Sequence, residues 1–131
     1  MHNIEDTVRE YLIERGWDKL RPSDLAKSII IEAAELLEIF QWSSLTIEET
    51  KQDEKRMAEI KKELADVFIY CLDMAVLLDL DTEKIIMDKL EHIKNKYPAE
   101  LMRKDAKHET GSGNSDLYLG IKQEYRRKGQ S

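Results

Sequence analysis

Apolar residues return every three or four positions along most of this chain, the spacing that lines one face of an α-helix. Ile4, Val8, Tyr11 and Leu12 share one face of a first helix over about residues 3–15, which Gly16 stops. After a loop holding Trp17 and Pro22, Ser23 is placed to cap a second helix that runs to about Trp42. Thr46 and Glu49 have the spacing of a capping box and open a long third helix, reaching to about Leu78. Its first half is polar and its second half nearly all apolar. Asp81 caps a fourth helix that ends before Tyr97-Pro98, because proline disfavours helical backbone in the residue preceding it. Short connections between consecutive helices favour antiparallel neighbours. The pattern therefore predicts an all-α fold, a four-helix bundle.

Two of these helices carry an electrostatic problem. Glu32 and Glu35 lie three apart in the second, and Glu63 and Asp66 three apart in the third, so each pair projects from nearly one side of its helix. At about 100° per residue, Leu25, Ile29, Leu36 and Ile39 surround the direction of Glu32. Ile60, Val67, Tyr70 and Met74 surround Glu63 in the same way, with Asp66 on the flank. An ionised carboxylate on such a face costs several kcal/mol unless it is paired, metal-bound or protonated. No Lys or Arg shares either face apart from Arg56, a turn or more below Glu63. A hard divalent cation is the simplest remedy, which points to metal-assisted chemistry on a phosphate-bearing substrate. The competing account is a pair of solvated faces, since 37% of the residues are charged and such pairs then arise by chance. Both pairs falling within apolar stripes favours the site.

Composition narrows the class. The 131 residues suit one domain, read as residues 1–102, followed by a flexible basic tail over 103–131. That tail carries a formal +3 against −9 for the rest, and the total of −6 argues against a nucleic-acid polymer as partner. Cys71 is the single cysteine and stands in an apolar run, so no disulfide framework is expected and a reducing cytoplasm is. The start of the chain lacks the apolar core of a signal peptide, and the longest apolar run is interrupted by Asp66 and Asp73, so no membrane association is expected. The apolar second half of the third helix exceeds what one small bundle hides, which implies a homodimer or homotetramer. In the tail, Gly111-Ser112-Gly113-Asn114-Ser115 reads as a linker. Leu117, Tyr118, Leu119, Ile121 and Tyr125 beyond it either dock as a strand or helix or belong to a mobile terminus. A basic tail is also able to fold over an anionic substrate site.

Three motifs carry a family resemblance. Asp24 to Ser28 and then Ile31-Glu32-Ala33-Ala34-Glu35-Leu36-Leu37-Glu38-Ile39-Phe40-Gln41-Trp42 resemble the signature helix of the all-α nucleoside triphosphate pyrophosphohydrolases. These are the MazG-like group that includes dCTP pyrophosphatases. Glu63-Leu64-Ala65-Asp66-Val67-Phe68-Ile69-Tyr70 is similar to the second signature, and Lys89 through Lys96-Tyr97-Pro98 to the third. The resemblance covers about residues 10–100. It implies a bundle completed by oligomerisation and a reaction in which water cleaves a nucleoside triphosphate between the α and β phosphates. It also implies Glu32, Glu35, Glu63 and Asp66 as ligands of Mg²⁺, with Mn²⁺ as a substitute, and a role clearing non-canonical or surplus dNTPs. Magnesium suits such a site, because it takes octahedral oxygen ligands shared with phosphates.

Around the cage, roles are less determined. Glu38 is either the residue that positions or deprotonates the attacking water or a surface carboxylate, and Glu35 combines ligation with the same catalytic task. Trp17, Trp42 and Tyr70 are base-stacking candidates, with core packing as the competing account. Lys89 and Lys96 lead the phosphate-contact candidates, ahead of Lys94 and Arg103, though solvated lysines also suit helix ends. Ile93 departs from the family pattern, which has asparagine five residues before the proline. Two rival functions remain: a phosphoribosyl-ATP pyrophosphohydrolase, and a helical regulatory or interaction protein without turnover. Histidine placement excludes a di-iron carboxylate site, and no Walker loop, dinucleotide glycine motif or zinc spacing occurs.

Overall fold

A computed structural model provides the three-dimensional structure, in which residues 3–106 and 116–130 are described. Those residues form seven α-helices and no strand: α1 (Ile4–Glu14), α2 (Pro22–Glu38), α3 (Ile47–Gln52), α4 (Glu54–Leu77), α5 (Thr82–Lys96), α6 (Ala99–Ala106) and α7 (Asp116–Arg127). The all-α expectation holds. Among the described residues, no helix is long and apolar enough to cross a membrane.

Local chemistry explains most boundaries. Asn3 caps α1 by accepting from the Asp6 N–H at 2.8 Å. Gly16 then turns the chain with φ +68°, a conformation that costs glycine little, and lets the Trp17 N–H close on the Leu12 carbonyl at 2.8 Å. Pro22, not Ser23, opens α2: it occupies the first helical position, where its fixed φ is already helical and its missing N–H is not needed. α2 stops at Glu38, and Phe40 to Trp42 form turns instead of continuing the helix. The expected long third helix is two helices. Asp53 takes an extended backbone (φ −91°, ψ 93°), ending α3, and its carboxylate accepts from the Arg56 N–H at 3.0 Å to start α4. The Thr46–Glu49 capping box forms as expected. Pro98 ends α5 and provides the turn from which α6 begins, its carbonyl accepting from the Met102 N–H at 3.0 Å. In the tail, α7 realises the helical alternative, while the Gly111–Ser115 linker lies outside the described residues.

The chain divides into two compact units, Met1–Thr82 and Glu83–Ser131. In the first, α4 packs against α1, α2 and α3. α2 runs antiparallel to α4, since Glu35 meets Glu63 while the later Ile39 meets the earlier Arg56. Arg56 clamps this end, donating to the Ile39 carbonyl at 3.1 Å and the Ser43 hydroxyl at 2.6 Å. Val8 and Leu12 of α1 meet Val76 of α4 in a small core, flanked by Leu72 and Leu77. Arg9 adds a contact to the Val76 carbonyl at 3.0 Å, and Glu5 accepts from the Thr82 N–H at 3.1 Å. Much apolar surface stays outside this core: Ile30 is 69% exposed on α2 and Phe68 57% on α4. Cys71 is exposed as well, although it stands in an apolar run.

In the second unit, the Tyr97 and Tyr118 rings stack with centroids 4.9 Å apart. His92 meets Tyr125 edge-on and shares a 3.0 Å hydrogen bond with the Gln130 carbonyl.

Asp73 is an anomaly in the first unit, only 3% exposed and with an Oδ1 that has no hydrogen-bond partner. Burial raises its carboxyl above the ordinary carboxylate range. A carboxyl raised in the folded state adds stability below its unfolded value, and that contribution disappears as pH climbs through the raised value. Asp73→Asn is therefore expected to gain stability over the parent as pH rises from about 4 toward neutrality, as read by urea midpoints. A difference between the two proteins that stays constant over that range would contradict the assignment.

Candidate metal centre

The antiparallel packing of α2 on α4 brings the two carboxylate pairs to one place. Glu32, Glu63 and Asp66 each offer a carboxylate oxygen, and these oxygens all lie within 4.8 Å of one another. All three side chains are half-buried. The Oε2 atoms of Glu32 and Glu63 are fully buried without a hydrogen-bond partner. A buried carboxylate oxygen left unbonded costs far more than one in water, so these two atoms are unsatisfied as long as only protein surrounds them.

The electrostatics express the same strain. Burial first, then the hydrogen bond to Glu35 and its charge, push the Glu63 carboxyl up; Asp66 adds to the rise and Lys62 opposes it. Arg56, the one cation the sequence placed near this face, is engaged with Asp53, Ile39 and Ser43. A small cation of charge two meets every requirement at once: it supplies the missing partners, cancels the repulsion and accepts an oxygen-only donor set. Glu32, Glu63 and Asp66 are the residues able to hold it, with Glu35 beside Glu63.

Glu35 is exposed at the rim and lines an open cavity of about 460 Å³ with Glu38, Ile39, Glu59 and Glu63. Glu38 thus faces the same space as Glu35. Glu59 was missed by the sequence reading, although its position four residues before Glu63 on α4 puts both on one helical face.

The base-stacking candidates are dispersed. Trp42 is 89% exposed in the turns after α2. Trp17 is 45% exposed and meets the Tyr11 ring edge-on at 5.7 Å. Neither indole is core. Tyr70 is half-buried on α4, one turn from Asp66. Lys89 and Lys96 belong to the second unit, where the Lys96 ammonium lies 5.3 Å from the Tyr97 ring centre and 5.1 Å from that of Tyr125. Ile93 is 38% exposed on α5.

Comparison with known proteins follows the same lines. A family model described as the MazG-like family matches residues 27–111. dCTP pyrophosphatase 1 of Mus musculus is 32% identical over 108 residues, covering 79% of this chain. The Homo sapiens protein of that name is 30% identical over 113 residues, covering 82%. The chain spans 64% of the length of the mouse relative and 66% of the human one. The crystal structure of a pyrophosphatase from Archaeoglobus fulgidus is 40% identical with a TM-score of 0.65, covering 75% of this chain and 95% of that one.

A cation at this cluster should be measurable directly. Calorimetric titration with Mg²⁺ or Mn²⁺ is expected to show saturable binding that Asp66→Asn weakens about ten- to a hundredfold. Metal-free and metal-loaded protein should also differ in thermal midpoint, since a ligand of the folded state stabilises it. Equal metal affinity in the parent and in Asp66→Asn would remove the cluster from consideration.

Proposed function

The chain belongs to the MazG-like family, and on that premise we propose that it is a metal-dependent nucleoside triphosphate pyrophosphohydrolase, releasing a (d)NMP and pyrophosphate. The observation that carries this reading is the set of three half-buried carboxylates within 4.8 Å of one another, two of them with orphaned oxygens. Mg²⁺ is the proposed cofactor, with Mn²⁺ able to replace it, and Glu32, Glu35, Glu63 and Asp66 its ligands. When bound, the cation would neutralise charge building on the phosphate oxygens during cleavage.

The chain's own residues divide the remaining tasks. Water attacks phosphorus, its bond to the anhydride oxygen breaks, and pyrophosphate leaves with that oxygen. The water must lose a proton as it attacks. Glu35 stands at the rim of the cavity, where its exposed carboxylate takes that proton, and Glu38 in the same cavity orients the water. Trp17, Trp42 and Tyr70 provide aromatic faces for the base, and Lys89 and Lys96 provide charge for the phosphates. Deoxynucleoside triphosphates are the proposed substrates, dCTP first among them because the curated relatives carry that name. Removal of surplus or non-canonical dNTPs in the cytoplasm is the corresponding role, and residues 1–102 its catalytic part.

Purified protein with Mg²⁺ is expected to release pyrophosphate from at least one member of a panel of common dNTPs and NTPs. Glu35→Gln and Asp66→Asn should each lose about a hundredfold or more of that activity. No pyrophosphate from the whole panel with either metal would sink the hydrolase reading, and orthophosphate release would move the cleavage point.

The exposed apolar residues of α2 and α4 also favour a homodimer or homotetramer. Ile30, Ile31, Phe68 and Ile69 are between 41% and 69% exposed in a single chain. Covering one such side chain is worth about 1.5–3 kcal/mol. Sedimentation velocity should find an assembly that Phe68→Glu splits into monomers; a monomeric parent at micromolar concentration would refute it.

A further inference from the structure

The open cavity beside the three converging carboxylates has a one-sided chemistry. Glu35 and Glu38 reach it from α2, Glu59 and Glu63 from α4, and Ile39 adds an apolar side chain. Every polar side chain on this wall is a carboxylate, which when ionised accepts hydrogen bonds and donates none. Among the described residues, none of Glu35, Glu38 and Glu59 forms an ion pair. Arg56, three residues before Glu59 on α4, is turned to Asp53, Ile39 and Ser43.

An anionic wall made only of acceptors fits a ligand that carries positive charge and presents donors outward. A phosphate, itself anionic and rich in acceptors, meets such a wall only across cations or water. A hydrated divalent cation has both properties. Magnesium keeps several waters when a protein binds it, and its charge polarises their hydrogens outward.

Glu59 stands apart from the carboxylates assigned above. It lies outside the group of Glu32, Glu63 and Asp66, whose oxygens converge within 4.8 Å, and it is exposed where those three are half-buried. Four residues before Glu63, it nevertheless shares that residue's helical face and its cavity. A second observation points to the same ligand from the closed side: Oε2 of Glu63, a residue that also borders this cavity, is buried without a hydrogen-bond partner.

We propose that Glu59 is a positioning residue for the hydration shell of the cation, its carboxylate accepting hydrogen bonds from water on an ion held by Glu32, Glu63 and Asp66. Glu59 orients that water from α4 as Glu38 does from α2. This role rests on the metal-dependent reading above, and it belongs to a residue outside both carboxylate pairs.

The discriminating probe is hexaamminecobalt(III), whose ammonia ligands do not exchange, so that it binds only by donating hydrogen bonds from its shell. Calorimetry on the full chain should show the parent binding it in competition with Mg²⁺, and Glu59→Gln binding it about three- to tenfold more weakly. Glutamine keeps the shape and helix propensity but replaces an acceptor oxygen with a donor. Glu59→Asp, which keeps the charge and leaves water to span the shorter reach, should stay within about twofold of the parent. Glu54→Gln, which removes a charge from the same helix away from the cavity, should match the parent. Mg²⁺ affinity should fall less in Glu59→Gln than in Asp66→Asn. A loss as large as that of Asp66→Asn would make Glu59 a direct ligand and overturn the proposal. So would a Glu59→Gln, folded by circular dichroism, that binds hexaamminecobalt like the parent, or a parent that binds Mg²⁺ but not hexaamminecobalt. A parent that binds neither overturns the metal-dependent reading and this role with it, whereas one that binds both but hydrolyses no nucleotide overturns only the hydrolase reading.

Discussion

Repulsion among Glu32, Glu63 and Asp66 across the α2–α4 interface is the constraint to which the first unit is built. Three carboxylate oxygens within 4.8 Å of one another drive those helices apart unless something holds them. The packing of α2 on α4 and one polar clamp hold them. Arg56 ties the end of α2 and the turn after it to the start of α4 through Ile39 and Ser43. Beyond the cluster, Val8 and Leu12 of α1 anchor the far half of α4 at Val76.

Burial around the cluster is uneven. The orphaned oxygens of Glu32 and Glu63 point to a buried ligand side, while Glu35, Glu38 and Glu59 border open solvent-accessible space. One side of the cluster is therefore closed and the other open.

Features decided within a few residues were legible in the sequence. The Thr46–Glu49 box, the Gly16 stop and the break at Tyr97-Pro98 all depend on one turn of chain, and all three occur. Asp53 was not legible, because 46–78 has one continuous helical pattern. What divides it is Arg56, which turns its N–H to Asp53 and its guanidinium to Ile39 and Ser43 on another element. Ser23 does not cap α2 because Pro22 already occupies the first helical position. Cys71 faces outward from an apolar run whose other side forms the core, since run composition alone does not say which side of α4 meets α1 and α2.

The sequence by itself determined the helices, the two carboxylate pairs and the face each pair occupies, because helical periodicity is a local rule and side-chain direction follows from it. Only the tertiary structure decided which carboxylates meet. Glu32, Glu63 and Asp66 converge, Glu35 is left at the rim against Glu63, and Glu59 joins them from one turn away. That outcome depends on the register of α2 along α4, a matter of packing between residues about thirty apart in the chain.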